Sequence, residues 1–424
     1  MSINMANIFL SSAHNTYGQD KPYTSLNTPE LNDIITYINE ESLDELLGFL
    51  NAFTPISTAE LDNIEVKLTT VYAEGLELQV QTKNTESPST NAQNHPEQSQ
   101  TFFIAFPAAI THPDELQIQY IALKQKADKK LGKKTIKLTK QVFDVQDSYR
   151  VSKNMLRLEL NMPTLNNTNG TSNPTSVPIN EAGYAYLFDL EHNALIKDTT
   201  ADNIDDSKNT SRLARSHCYY TLRKAWQTPA GIQAWVDVFL HGNTPGSNWA
   251  NSLQAGDTVV TKREFPEKIE HLRDGQALLI ADETSMPTVA RLLELWENPT
   301  PPLVVSVTQN AADQRYFDTV KIRSGIDGSI NNSIDSNSER TIKNTVKDNF
   351  TVLPIVTDQQ CSGQHLASLI DNTIGNYLID QPIKIDKVWG ALEASTVKAL
   401  RPMLRERLDL SRAEVVIKVY WRQD

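Results

Sequence analysis

Residues 277–296 read ALLIADETSMPTVARLLELW, and this stretch decides the fold of the C-terminal part of the chain. The short apolar run 277–281 is typical of a central strand in a parallel sheet, because such a strand is covered on both faces. Met286-Pro287 then predicts the start of a helix, since proline is favoured in a first helical turn. A second apolar run follows at 303–307, so the three elements predict a βαβ unit.

The chain beyond this unit repeats the strand–helix–strand order. Val388-Trp389 is predicted as a strand, and a helix with Val397, Leu400, Leu404 and Leu408 follows it. Pro402 is expected to kink or split that helix, because proline lacks the amide donor. Residues 415–420 are predicted as a last strand. Residues 269–424 are therefore predicted to be a doubly wound α/β domain, whose ligands bind at the carboxyl ends of the strands.

Upstream, residues 139–268 contain several short strand patterns and no convincing long helix, which predicts a small antiparallel β-barrel. Within it lie CYYTLRKAW (218–226) and VDVFLHGNTPGSNWA (236–250). Tyr220 can stack on an aromatic ring, the Thr221 hydroxyl can bond a ring edge, and Arg223 can pair with a pyrophosphate. Backbone N–H groups around Gly246-Ser247 can form an anion-binding concavity. Together these groups suit a flavin dinucleotide.

The first part of the chain, residues 1–138, is predicted as a separate α+β domain. Residues 29–53 have helical periodicity, with a restart at the capping box Ser42-x-x-Glu45. A hairpin is predicted over 64–80, a strand over 102–106 and a helix from 116 to 131. Four polar stretches are predicted as loops, at 81–100, 165–177, 192–212 and 323–340.

Charge and cysteine content exclude several classes of protein. The chain has 424 residues, with 40 basic and 52 acidic side chains and a net charge of −12, which argues against a nucleic-acid binder. Its two cysteines exclude a disulfide framework and favour the cytoplasm. No histidine or cysteine spacing indicates a metal site. No apolar run approaches the ~18 residues of a membrane helix, and the N-terminus lacks the basic lead-in of a signal peptide.

Four ordered motifs resemble the siderophore-interacting protein family over roughly residues 145–424. They are Tyr220-Thr221-x-Arg223, the His-Gly…Ser-x-Trp pattern of 241–249, LLIADETSMPTVARLLE at 278–294, and WGALEASTVKALRPMLRERLDL with the ending VYWRQD. The architecture is similar to that of ferredoxin-reductase-like flavoenzymes. The resemblance implies an FAD-dependent oxidoreductase that takes electrons from NADPH or NADH and reduces a ferric siderophore, with no catalytic acid, base or nucleophile.

The resemblance also implies roles for single residues. Tyr220 would pack on the flavin, Thr221 would bond its edge and Arg223 would hold phosphate. The remaining FAD-binding positions would be His241, Gly242, Gly246, Ser247 and Trp249. The strand-end residues Asp282, Glu283, Thr284 and Glu393 would border the nicotinamide dinucleotide, and Arg422 would meet an anionic ferric chelate. Lys262 is a further candidate to contact the chelate from a basic pocket, with a solvated strand end as the favoured alternative. For Trp249 and Trp421 a place in the core is an equal alternative, and for Glu393 capping of its helix is a lesser one.

Three positions depart from the family pattern. Cys218 stands where the family usually has an arginine, a role that Arg215 is a candidate to fill. Ala281 and Leu392 stand where the family has glycines. Both are expected to crowd the approach of a dinucleotide, with Leu392 the larger intrusion.

The N-terminal domain resembles the C-terminal domain of HugZ-type haem-utilisation proteins over roughly residues 30–134, through TFFIAFPAAITHPDELQ and the lysine-rich helix after it. Tyr37 and Ser42 stand where that family often carries histidines, so haem ligation by them is not expected. An accessory or dimerisation role is the prediction. Two other functions stay open: an electron-transfer adaptor reduced by a ferredoxin-like partner, and a haem- or iron-chelate-binding module led by residues 1–138.

Overall fold

A computed structural model describes residues 23–26, 31–82, 99–112, 115–138, 140–163, 177–192, 216–322, 345–347, 350–357 and 361–423. The chain divides into two compact units, Met1–Ile136 and Lys137–Asp424. Arg215 and most of the four polar stretches lie outside the described residues. None of the helices in the described ranges combines the length and apolar character needed to span a bilayer.

The first unit packs three helices on a small antiparallel sheet. Its elements are α1 (Leu31–Glu41), α2 (Leu43–Phe53), β1 (Ile64–Tyr72), β2 (Gly75–Thr82), β3 (Ser99–Ala105) and α3 (Leu116–Lys130), with strand order β1-β2-β3. The predicted helix restart is confirmed, but the Ser42 side chain makes no capping hydrogen bond. A capping box forms instead between Ser57 and Glu60, ahead of a 3-10 turn at Thr58–Asn63.

The second unit begins with a closed six-stranded antiparallel barrel of strand order β4-β5-β8-β7-β6-β9. Its elements are β4 (Gln141–Arg150), β5 (Met155–Pro163), β6 (Tyr184–Asp189), β7 (His217–Thr228), β8 (Gly231–Phe239), the short helix α4 (Pro245–Ser252) and β9 (Thr258–Pro266). Apolar residues alternate into the barrel, as the burial of Leu156, Leu158 and Leu160 along β5 shows. The predicted barrel is confirmed.

The rest of the second unit is an α/β sandwich around a six-stranded sheet of order β12-β13-β11-β10-β14-β15. Its elements are β10 (Ala277–Ala281), α5 (Met286–Glu294), β11 (Leu303–Thr308), β12 (Thr345–Lys347), β13 (Phe350–Val356), α6 (Gly363–Asp380), β14 (Lys387–Glu393), α7 (Ala394–Leu408) and β15 (Val415–Trp421). All neighbouring pairs are parallel except β12 with β13. Helix α5 covers one face of the sheet and helices α6 and α7 the other, which confirms the doubly wound prediction.

Two elements of this sandwich differ from the sequence predictions. Helix α6 and strand β13 were not predicted; α6 carries polar residues such as Asp371, which is buried because it pairs with Arg407 of α7 through two hydrogen bonds of 2.5 Å. Helix α7 runs unbroken through Pro402, so the predicted split is wrong. Pro402 is exposed, and water can replace the hydrogen bond that proline cannot donate.

Candidate functional site

The Tyr220 ring lies at the edge of the barrel core, supported by a second aromatic ring. Trp249 of α4 is parallel to it, with ring centroids 5.7 Å apart and an interplanar angle of 3°. Trp249 is 6% exposed and also packs on Phe188 at 5.6 Å. Trp249 is therefore a core residue that holds Tyr220 in place, whatever else it contacts.

Helix α4 begins directly against Tyr220. A Cβ on Gly246 would overlap the Tyr220 hydroxyl oxygen and would lie 3.5 Å from the Cys218 sulfur, so only glycine allows this approach. The Thr244 hydroxyl caps the helix by accepting from the backbone N–H of Ser247 at 3.3 Å. The Ser247 hydroxyl in turn accepts from the backbone N–H of His241 at 3.1 Å. These contacts fix a helix N-terminus, which favours anions, beside the Tyr220 ring.

The His241-Gly242 turn meets the C-terminal strand of the α/β sandwich. Gly242 has a φ of +56°, which is the left-handed region that glycine tolerates. The His241 ring stacks on Phe239 at 5.4 Å and lies 6.4 Å from Trp421. Desolvation lowers the pKa of His241, so this imidazole is neutral over a wider pH range than usual. Trp421 donates from Nε1 to Oδ2 of Asp282 at 2.8 Å, which ties the barrel turn to the strand-end acid.

Asp282 organises the turn between β10 and α5. Its Oδ1 accepts from the backbone N–H and the hydroxyl of Thr284, at 2.9 and 2.6 Å. Burial raises the pKa of Asp282, and the hydrogen bonds from Thr284 and Trp421 offset only part of that effect. The structure therefore gives Asp282 a role in shaping the turn, while contact with a dinucleotide stays a prediction.

Glu283 is a buried carboxyl at the carboxyl ends of β10 and β11. Its Oε1 accepts from the backbone N–H of Gln309 at 2.5 Å. Burial raises its pKa to about 8, and the nearby carboxylates of Asp282 and Asp313 act in the same direction. Glu283 is therefore largely protonated at neutral pH and adds little negative charge to this edge of the sheet.

We expect Glu283→Gln to remove a pH dependence of stability. Between about pH 4.5 and 8 the folded chain keeps a proton on Glu283 that the unfolded chain has lost, so stability falls as pH rises through this window. Glutamine stays neutral at every pH, so the variant should gain up to about 4 kcal/mol over wild type at pH 8.5 and nothing at pH 4.5.

Urea unfolding of both proteins at pH 4.5, 7 and 8.5 measures this difference. Glu297→Gln, which alters an exposed carboxyl, is the matched control and should follow wild type. A Glu283→Gln variant that keeps the wild-type pH dependence would contradict the assignment.

Glu393 caps helix α7. Its Oε2 accepts from the Ser395 hydroxyl at 2.5 Å and from the backbone N–H of Thr396 at 3.0 Å. Burial opposes ionisation of Glu393, but the hydrogen bonds from Ser395 and Thr396 outweigh it and lower the pKa. Of the two alternatives for this residue, capping is therefore the one that its contacts support.

The side chains of Ala281 and Leu392 are buried on opposite faces of the sheet, and their effect on the approach of a dinucleotide stays a prediction. Leu392 is 1% exposed and belongs to the apolar cluster under α6 and α7, with Leu366 and Val397. Ala281 is fully buried in the cluster on the opposite face. Because strand side chains alternate between faces, the larger residue at 392 is absorbed by the core.

Arg223 has a different partner from the one expected. It is 3% exposed, and its two terminal nitrogens donate to the two carboxylate oxygens of Glu294 in α5, both at 2.8 Å. To hold a pyrophosphate, Arg223 would have to leave this pair, and Glu294, whose side chain is 19% exposed, would keep its ion pair of 3.3 Å with Arg291. The neighbouring Thr221 hydroxyl is also engaged, 2.7 Å from the Thr288 hydroxyl.

The two basic residues proposed for a ferric chelate lie in different parts of the fold, Lys262 in β9 and Arg422 directly after β15. Lys262 contacts the His217 ring and forms an ion pair of 3.2 Å with Asp189, and its side chain is 45% exposed. Arg422 is exposed in the segment after β15. No group of three or more histidine, cysteine or acidic side chains that could hold a metal occurs within the part of the chain that the structure describes.

The family model for siderophore-interacting proteins matches residues 275–424. The matched segment contains the strand-end residues Asp282, Glu283, Thr284 and Glu393, together with Arg422.

The chain was also compared with solved structures, and three of those that it matches are described as siderophore-interacting or siderophore utilization proteins. They include the siderophore-interacting protein of Acinetobacter baumannii, with 14% identity, a TM-score of 0.44 and coverage of 67% of this chain and 91% of that one. A siderophore utilization protein from T. fusca has 17% identity, a TM-score of 0.41 and coverage of 68% and 96%. SipS from Aeromonas hydrophila has 15% identity, a TM-score of 0.41 and coverage of 67% and 98%. The comparison with curated proteins found no match.

Several polar residues that join the barrel to the α/β sandwich were not found by sequence reasoning. Asp237 of β8 accepts from Arg157 at 2.7 Å and from the Tyr316 hydroxyl at 2.5 Å. Asp313 accepts from the Ser152 hydroxyl and from Asn154. Thr288, Glu294 and Tyr420 complete the set. Asp237 lies between two valines in the sequence of β8. An acidic residue within such an apolar strand was the signal that could have identified this contact.

Proposed function

We propose that the protein is a flavin-dependent ferric-siderophore reductase, which passes electrons from NADPH or NADH through FAD to Fe(III) held by a siderophore and releases Fe(II). One observation carries the proposal. The barrel, in which Trp249 supports the Tyr220 ring, is hydrogen-bonded at the carboxyl edge of the sheet to the α/β sandwich, whose residues 275–424 match the siderophore-interacting protein family model. The Thr221 hydroxyl is hydrogen-bonded to that of Thr288 at this junction. The His241 ring lies 6.4 Å from that of Trp421, which donates to Asp282.

The residues at the junction fit FAD in three respects. The Tyr220 ring is held from one side by Trp249 and is only partly buried, so it suits stacking against a flat ring. Gly246 allows α4 to begin against the Tyr220 hydroxyl, so the N-terminus of this helix, which favours an anionic diphosphate, lies beside the ring. Glu283, being largely protonated, limits repulsion of an anionic dinucleotide. FAD, when bound, accepts a hydride and releases single electrons.

The chain's own contribution is to position and shield these groups. Trp249 holds Tyr220, Asp282 holds the turn before α5, and the Ser247 hydroxyl holds the His241 turn. Arg422 and Lys262 supply positive charge for an anionic ferric chelate. Fe(II) binds hard oxygen ligands less tightly than Fe(III), so reduction releases the metal without any acid, base or nucleophile. We place this reaction in the cytoplasm.

Reconstitution with FAD followed by rapid mixing tests the proposal. The purified protein should become yellow with FAD, and NADPH or NADH should bleach the flavin absorbance under anaerobic conditions. Protein that stays colourless after reconstitution would remove the proposal. A yellow protein that neither nucleotide bleaches, but a reduced ferredoxin does, would favour the adaptor instead.

A role for the first unit in dimerisation or in haem binding remains a prediction from its resemblance. Titration of haem onto the full chain and onto a chain that begins at Lys137, each followed by absorbance, tests the binding role. Sedimentation of the same two chains tests dimerisation.

A further inference from the structure

A continuous line of hydrogen bonds crosses from the barrel to the last strand of the sheet. The Thr221 and Thr288 hydroxyl oxygens are 2.7 Å apart, and the Thr288 hydroxyl is 3.2 Å from that of Tyr420. The Tyr420 hydroxyl donates to Oε1 of Glu267 at 3.0 Å. The other oxygen of Glu267 forms an ion pair of 2.6 Å with Lys418.

This line ends beside a partly exposed side chain, that of Lys418. Thr221 and Glu267 are each 5% exposed, and Thr288 is not exposed at all. The Lys418 side chain is 20% exposed and packs over the Phe265 ring at 4.8 Å. Each hydroxyl along the line can accept one hydrogen bond while it donates another, which is what proton transfer from oxygen to oxygen requires.

The proposed reaction leaves a proton to be removed. A hydride from NADPH or NADH brings two electrons and one proton into the site, and reduction of two Fe(III) ions takes out the two electrons only. The balance is therefore one hydride and two Fe(III) giving two Fe(II) and one H⁺. A site that is shielded from water needs a path for that proton.

We propose that Thr221, Thr288, Tyr420 and Glu267 form this proton exit path, an inference that rests on the proposed function. A proton received at Thr221 Oγ1 displaces the hydroxyl proton toward Thr288, then toward Tyr420, and the last transfer protonates Glu267 Oε1. Glu267 then passes the proton toward solvent on the side of Lys418, the partly exposed residue with which it forms an ion pair.

Tyr420 acts in this path as a neutral phenol. Burial raises its pKa well above the ordinary value, and the Glu267 carboxylate raises it further, so the phenolate is not formed. Tyr420 therefore passes the proton by donating to Glu267 as it accepts from Thr288. Removing its hydroxyl breaks the path at its middle, and the phenylalanine ring keeps the packing against Trp389.

Proton release from photoreduced, FAD-loaded protein mixed with ferricyanide, followed with a pH-indicator dye, tests the path without a nucleotide or a siderophore. Tyr420→Phe and Thr288→Val should slow proton release at least about tenfold, while the number of protons released and the affinity for FAD stay at wild-type values. Tyr316→Phe, which removes a buried hydroxyl bonded to Asp237, is the control and should release protons as wild type does.

A second measurement uses the protein without FAD, so it stands even if the proposed function fails. Nuclear magnetic resonance of tyrosine-labelled protein follows exchange of the Tyr420 hydroxyl proton with solvent. Glu267→Gln should slow that exchange at least about tenfold and leave Tyr316 unchanged. Wild-type exchange in Glu267→Gln, or wild-type proton release in Tyr420→Phe, would overturn the exit path.

Discussion

Gly246→Ala is expected to weaken FAD binding about 10- to 100-fold, which corresponds to about 1.4–2.8 kcal/mol. The added methyl group would overlap the Tyr220 hydroxyl oxygen, so either the ring or the start of α4 has to move. The ring cannot move freely, because Trp249 lies parallel to it and Phe188 packs beside it at 6.0 Å. Both groups that we assign to FAD, the Tyr220 ring and the helix N-terminus, are therefore displaced by one methyl group.

Quenching of FAD fluorescence on titration with apoprotein measures this loss. Asn248→Ala is the matched control, because Asn248 lies in the same helix but is exposed, and its side chain donates to the exposed Asn243 side chain. The control should bind FAD within about twofold of wild type. Equal affinity in Gly246→Ala and wild type, with both proteins folded, would show that FAD does not bind at Tyr220.

Asp237→Ala is expected to lower the free energy of unfolding by about 3–5 kcal/mol. Its carboxylate is completely buried and accepts two hydrogen bonds of 2.7 Å from Arg157 and one of 2.5 Å from Tyr316. Arg157 is itself largely buried and stacks over Trp235 at 4.1 Å, so it cannot turn to solvent when its partner is removed. The cost comes mainly from the unpaired guanidinium.

Urea unfolding of three variants separates this cost from simple loss of an ion pair. In Arg157→Met with Asp237→Leu, both charges are replaced by apolar groups, and most of the lost stability should return. Lys384→Ala breaks a pair with Asp386 in which Lys384 is 85% exposed, and it should cost less than about 1 kcal/mol. If Asp237→Ala costs no more than Lys384→Ala, the barrel junction does not depend on the buried pair.

The fold was largely predictable because its strongest signals are local. The apolar run 277–281 was long enough for a strand covered on both faces, and it is the central strand β10, fully buried. The hairpin and barrel strands followed from alternation, and α5 from Met286-Pro287. Helix α6 was missed because its buried face includes Asp371, whose polarity is neutralised by Arg407, 36 residues away in sequence.

The contacts of the candidate site were less predictable, since they depend on partners distant in the chain. Arg223 near a strand end is compatible with phosphate binding or with an ion pair, and only the fold brings Glu294, 71 residues away, to it. From the sequence motif alone, Leu392 was expected to crowd a dinucleotide. In the fold, the alternation of β14 directs its side chain into the core. The sequence identified Thr221 as a candidate site residue. Its hydrogen-bonded connection to Thr288, Tyr420 and Glu267 is defined only by the fold.

The most direct test of the proposed reductase is anaerobic reduction of the FAD-loaded protein by NADPH or NADH, followed by addition of ferric siderophores in the presence of a ferrous trap. The account predicts two trapped Fe(II) ions per hydride consumed, and re-oxidation of the flavin as the trapped iron appears. A protein that binds FAD and is reduced, but forms no trapped Fe(II) with any hydroxamate or catecholate siderophore, would contradict it.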